Sequence, residues 1–137
     1  MRGVTAGWIG LALVGSVAAL ARLLTAYEVA EHSMRPTLDP GDWVLARRRP
    51  TTVRPGDVVV VEHPGRSGFE LVKRVAAGPG GPRPDGGGLL AADEIWVVGD
   101  NTPSLDSDRL GPVSLDLVRA RVLLRYRPLP PSPIARR

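Results

Sequence analysis

Pro55-Gly56-Asp57-Val58-Val59-Val60-Val61 and, shortly after it, Glu70-Leu71-Val72-Lys73-Arg74-Val75-Ala76 carry the clearest strand signals in the chain. Pro-Gly-Asp marks a turn, and the four valines that follow are a short β-branched run of the kind a sheet buries on both faces. Residues 70–76 alternate instead: Leu71, Lys73 and Val75 share one face of a strand, and Val72 and Arg74 share the other. A charged amine is thereby placed beside apolar neighbours. Working outward, Asp39-Pro40-Gly41-Asp42 is a second tight turn and leads into a strand over 43–47. Residues 78–88 form a glycine- and proline-rich loop, 94–98 a strand ending at Gly99-Asp100-Asn101, and 119–126 a last strand. With 16 glycines and 14 prolines the chain is built of short strands and turns, which predicts a mostly β domain, a small barrel or sandwich, without internal repeats.

At the N-terminus, residues 4–21 hold 18 residues without a charge, bounded by Arg2 and Arg22. A bilayer core takes roughly 20 apolar residues, so this stretch reads as one transmembrane helix of minimal length. Two other readings stay open. One is a cleaved signal peptide with Ala19-Leu20-Ala21 as its small-residue site, and the other is a buried helix of a soluble domain. The expected organisation is an anchor over 1–24, a β domain over 25–127 and a disordered proline- and arginine-rich tail over 128–137.

No cysteine is present, which removes disulfides, thiolate nucleophiles and thiolate-bound zinc. His32 and His63 are too few for a usual metal site, so neither metal nor cofactor is expected. The net charge is +4, but only Arg47-Arg48-Arg49 cluster tightly, and the aromatics amount to three Trp, two Tyr and one Phe. Nucleic-acid binding is therefore not expected. Of the 18 basic residues a single one, Lys73, is lysine.

Ser33 lies in Ser33-Met34-Arg35-Pro36-Thr37-Leu38, just past the apolar segment. A serine hydroxyl becomes a nucleophile only when a base takes its proton. His32 is adjacent and points away in an extended chain, while a Ser33, His63, Asp57 triad stays open. Lys73 is the better candidate, because arginine never deprotonates whereas desolvation can draw a lysine from about 10.4 toward 7 or 8. The plain alternative is a stray surface lysine in an arginine-rich composition.

Taken in order, Ser33-Met34-x-Pro36-Thr37-Leu38, Gly56-Asp57-Val58-Val59, Lys73-Arg74-Val75, Gly99-Asp100-Asn101, Asp106-Ser107-x-Arg109 and Gly111-Pro112-Val113 resemble the motifs of type I signal peptidases. The resemblance implies a Ser-Lys dyad endopeptidase that cuts exported precursor proteins after small residues. It implies a single-pass protein of the plasma membrane, in contact with the lipid bilayer and with its β-rich catalytic domain on the extracytoplasmic side. It also implies Ser33 as nucleophile, Lys73 as base, the Ser33 backbone N–H as oxyanion donor and Ser104 as the hydroxyl orienting the lysine. Met34 and Pro36 would line the substrate cleft, while Asp100, Asn101 and an Asp106–Arg109 ion pair would support the site. The chain departs from the pattern at Glu31, where the family often has a hydroxyl residue two places before the nucleophile. It is one residue short between Asn101 and Asp106, carries Asp108 before Arg109, and is compact between Lys73 and Gly99. Its length also resembles the maturation proteases of nickel-type superoxide dismutase. Outside enzymes, an anchored β domain that binds peptides without cutting them is the rival reading. A self-cleaving repressor is disfavoured, since no helix-turn-helix precedes Ser33.

Overall fold

The computed structural model describes residues 5–101 and 107–137, with side chains from residue 14 onward apart from Ser107. A helix α1 (Thr5–Leu23) runs directly into β1 (Leu24–Glu28). There follow β2 (Trp43–Arg48), β3 (Val58–Glu62), β4 (Glu70–Ala77), β5 (Glu94–Val98), a short helix α2 (Ser107–Leu110), β6 (Val113–Ser114), β7 (Val118–Arg127) and β8 (Ser132–Pro133). The strands make one antiparallel sheet in the order β1-β2-β7-β3-β4-β5-β6, with β8 added to β7, curled into a half-barrel. The mostly β expectation holds. The barrel or sandwich is corrected to a single curled sheet, because one strand run packs on both of its sides.

That run is β3. Val58 and Val60 enter an apolar cluster with Val29, Met34, Leu38, Val44, Ala46, Ala120 and Val122. Val59 and Val61 enter a second one with Leu71, Val75, Ile95, Val97, Val113 and Val118. Successive residues of a strand point to opposite faces, so four consecutive valines need a core on each side. A register shift between Val60 and Val61 lets β7 follow: Ala120 pairs with Val60 and faces the first cluster, whereas Val118 pairs with Val61 and faces the second.

The strand β1 escaped the sequence reading because it continues α1 without a turn; it is held by antiparallel pairing of residues 24–28 with β2. Among the described residues no helix is long and apolar enough to cross a membrane. The described apolar side chains of α1, Val14, Val17, Leu20 and Leu23, are nonetheless exposed rather than packed on the sheet.

Residues 128–137 were expected to be disordered, and they are instead docked. Leu124 and Arg125 of β7 pair with Pro133 and Ser132, Ile134 packs against the first cluster, and the Ala135 carbonyl and the Arg136 guanidinium are both bonded to the domain. Proline-rich composition signals disorder only when the chain offers no edge and no buried acceptor to bind.

Leu38 is completely buried in the first cluster, so Leu38→Ala should lower unfolding stability by about 2–5 kcal/mol. Leu89→Ala, at a side chain 73% exposed, should stay within about 0.5 kcal/mol. Denaturant midpoints of the two variants check the pair.

Candidate active site

A cleft of about 170 Å³ opens between two stretches of backbone. One wall is the end of β1 and its continuation, Tyr27 to Glu31; the other is Glu70, Leu71 and Val72 of β4; Ser33, Met34 and Val60 close it. The second wall is an open strand edge. On one side β4 pairs with β3 from Glu70 to Arg74, whereas on the other its ladder with β5 covers only Arg74, Val75 and Ala77. Backbone groups at 70–72 on that side thus face the cleft rather than another strand.

Of the two candidate catalytic residues, Ser33 lines this cleft, and Lys73 comes directly after the residues of its second wall. Ser33 follows the first wall by two residues and is 9% exposed; Lys73 follows the second by one and is completely buried. Lys73 pairs across the ladder with Val59, and its strand neighbours on that face are Leu71 and Val75 of the second cluster. An amine in such surroundings is out of reach of bulk water.

Ser33 is fixed from the β5 side. Its carbonyl accepts the Asn101 N–H at 2.8 Å, and the Asn101 amide side chain donates to the His32 carbonyl at 3.1 Å. Next to Asn101, the Asp100 carboxylate takes a two-pronged bond from Arg74, Nε to Oδ1 and Nη2 to Oδ2, each at 2.7 Å. The Thr37 hydroxyl donates to the same carboxylate. The turn bearing the serine and the strand bearing the lysine are therefore joined through Asn101, Asp100 and Arg74, the residue beside Lys73. Burial alone would raise the Asp100 carboxyl, but the hydrogen bonds from Arg74 and Thr37, helped by the charges of Arg74 and Arg137, hold it below the usual carboxylate range.

The other candidates fall as follows. Met34 lines the cleft and is completely buried in the first cluster, while Pro36 is exposed on the outside of the turn and does not line it. The Met34 carbonyl accepts the Leu38 N–H, closing the turn that turns Pro36 outward. Ser104 and Asp106 lie outside the described residues, and Arg109 is exposed. Glu31, the departure from the family pattern, lines the cleft but is exposed, so its carboxylate stays in contact with water.

A triad of Ser33, His63 and Asp57 is not assembled. Asp57 precedes β3 and His63 follows it, about 20 Å apart at the rise of an extended chain. His63 Nδ1 accepts the Gly65 N–H, and Asp57 is occupied by the Arg54 N–H and Arg136. The sequence reading missed the partners of Asp100, Arg74 and Thr37; the adjacency of Lys73 and Arg74 on opposite strand faces was the available signal. Among the described residues no group of His, Cys, Asp and Glu side chains is arranged to hold a metal ion.

An open strand edge along a cleft lined by a buried serine is an arrangement that can receive an extended chain as a further strand. The sequence matches the family model described as "Signal peptidase, peptidase S26" over residues 3–82, a span that includes Ser33 and Lys73. It is also 34% identical over 110 residues, 72% of this chain and 70% of the other, to the protein named mitochondrial inner membrane protease subunit 1 of Schizosaccharomyces pombe. The chain belongs to the signal peptidase family S26: it is a peptidase whose substrates are proteins, and removal of signal peptides is the general activity of that family.

Breaking a buried ion pair by deleting one charge typically costs about 3–5 kcal/mol, and Asp100→Asn should approach that at neutral pH. A carboxyl whose folded value is depressed stabilises the fold above its unfolded value, near pH 4, and loses that contribution as pH falls through the lower folded value. Stability measured from about pH 6 to pH 2 should therefore drop more in the wild type than in Asp100→Asn, and the two curves should converge in acid. Parallel curves would contradict the assignment.

Proposed function

We propose that this protein is a membrane-associated serine endopeptidase that removes signal peptides from exported precursors with Ser33 as nucleophile and Lys73 as general base. The observation that carries the reading is the complete burial of Lys73, the residue that follows the 70–72 wall of the cleft lined by Ser33. Burial disfavours the ammonium form of an amine, and a neutral amine is what the base requires. Arginine at the same position would be a permanent cation.

In the proposed sequence the substrate adds as an extended strand between residues 27–31 and 70–72, where backbone hydrogen bonds supply affinity. The cleft is narrow and floored by Val29, Met34, Val60 and Leu71, which suits small apolar side chains. Lys73 takes the Ser33 proton as Oγ attacks the scissile carbonyl, and the Ser33 backbone N–H donates to the oxyanion. The protonated amine then returns its proton to the departing amine. The same lysine next activates the water that hydrolyses the acyl-enzyme and frees Ser33. Ser104 is the residue proposed to orient the lysine.

Membrane contact is proposed to run through the uncharged stretch 4–21 and α1, whose exposed Val14, Val17 and Leu20 have no protein surface to cover. The name of the fission-yeast relative, an inner membrane protease, points the same way. The catalytic domain is proposed to stand on the extracytoplasmic side of the membrane, where exported precursors emerge.

The test is cleavage of a panel of precursors carrying signal peptides, with product termini read by mass spectrometry. Ser33→Ala and Lys73→Arg should each lower kcat by at least about 10³-fold while leaving the fold intact. Cleavage by Lys73→Arg at the wild-type rate would eliminate the dyad.

A further inference from the structure

The Arg74 guanidinium has an acceptor for every N–H it carries. Nε and one Nη2 hydrogen go to Asp100, and the other Nη2 hydrogen makes a long contact of 3.5 Å with the Thr37 hydroxyl. Nη1 donates to the Gly56 carbonyl and to the Ala135 carbonyl, both at 2.9 Å. One of these acceptors comes from the C-terminal segment, 61 residues away along the chain.

The same segment is fastened on both sides of Ala135. Ile134 enters the first apolar cluster, which also holds Met34, the residue after the proposed nucleophile. Arg136 Nη2 lies 2.8 Å from Oδ1 of Asp57, a carboxylate whose side chain is 3% exposed. Asp57 Oδ2 is taken by the Arg54 N–H, so Arg136 meets the oxygen left over. Gly56 turns beneath the segment with φ +89°, and a Cβ there would stand 3.2 Å from the Arg137 carbonyl and 3.3 Å from the Arg136 Cβ. The positive φ and the close approach both require glycine. The Arg137 charge, finally, reaches Asp100 and helps to keep it ionised.

We infer that residues 132–137 form a positioning strap: by completing the acceptor set of Arg74 they hold the Asp100–Asn101 turn, and through it Ser33, in register with the strand that carries Lys73. Arg74, Ile134 and Arg136 are positioning residues in this scheme and touch no substrate. The inference rests on the dyad reading above. Without the strap, a buried guanidinium N–H loses its partner, and Arg74 shifts, carrying with it Asp100 and the β4 backbone that holds Lys73. Displacement of a catalytic group by about 1 Å is enough to lower a rate by about 10²-fold.

The experiment compares the full chain with Ile134→Asp, Arg136→Glu, Arg136→Lys and a chain ending at Pro131. Two readouts are taken: kcat and KM on a precursor the wild type cleaves, and the rate at which an amine-acylating reagent modifies the peptide carrying Lys73, which is the only lysine in the sequence. Ile134→Asp, Arg136→Glu and the shortened chain should lose kcat by at least about ten-fold with KM changed by less than about two-fold, and Lys73 should be modified at least about ten times faster. Arg136→Lys should behave as wild type, and a synthetic peptide of residues 132–137 should restore the shortened chain. A shortened chain that melts cooperatively and keeps both the wild-type kcat and the wild-type Lys73 modification rate overturns the strap. Should that chain not fold, Arg136→Glu in the full chain decides on the same two readouts. Failure of the wild type to cleave any precursor would count against the dyad reading alone, since the Lys73 modification rate still reports on the strap.

Discussion

The Arg74 guanidinium is shared by four parts of the chain that lie far apart in sequence: the turn at Gly56, the turn at Thr37, the Asp100 loop and the segment at Ala135. A charge at 6% side-chain exposure is tolerable only when hydrogen bonds replace its lost hydration, and the planar fork of arginine makes that replacement geometrically demanding. Each acceptor has to arrive from its own direction. The curled sheet supplies the directions, because β4 presents Arg74 where the β5 ladder begins at Val98 and where the turn into β3 ends. A buried ion pair of this kind adds little net stability over an apolar pair, but it penalises every arrangement in which one of the four segments is misplaced.

The apolar framework makes that arrangement possible. Because Val58 to Val61 feed two clusters, β3 cannot slip by one residue without exchanging the contents of both. The register of β4 against β3 is fixed in turn, and with it the position of Lys73 opposite Val59 and of Arg74 opposite Val58. Lys73 is buried as a consequence of register. Its desolvation is sustained by the same valines that stabilise the sheet.

Much of this architecture is legible in the sequence. Runs rich in valine and bounded by Pro-Gly-Asp, Asp-Pro-Gly-Asp and Gly-Asp-Asn place β2, β3, β4, β5 and β7 within a residue or two, because turn residues and β-branched runs act locally. What stayed hidden depends on contacts between distant segments. Nothing in Pro128 to Arg137 announces that Asp57 and Arg74 have acceptor and donor positions for it, and proline content suggests the opposite. The curl of the sheet was equally out of reach, since alternation distinguishes faces but not whether two faces belong to one sheet or two.

The adjacent pair Lys73-Arg74 shows why two cations with similar labels are not exchangeable here. Neighbours on a strand leave it on opposite faces, so one cation enters the apolar second cluster while the other reaches the polar junction of Gly56, Asp100 and Ala135. A lysine at position 74 would bring three donors on a rotating ammonium to a set of acceptors laid out for a planar fork. An arginine at position 73 would place a guanidinium with no means of losing its proton among Val59, Leu71 and Val75. Each residue type suits its own face and fails on the other, so the strand that orders the site also separates the group proposed to exchange a proton from the group that must never do so.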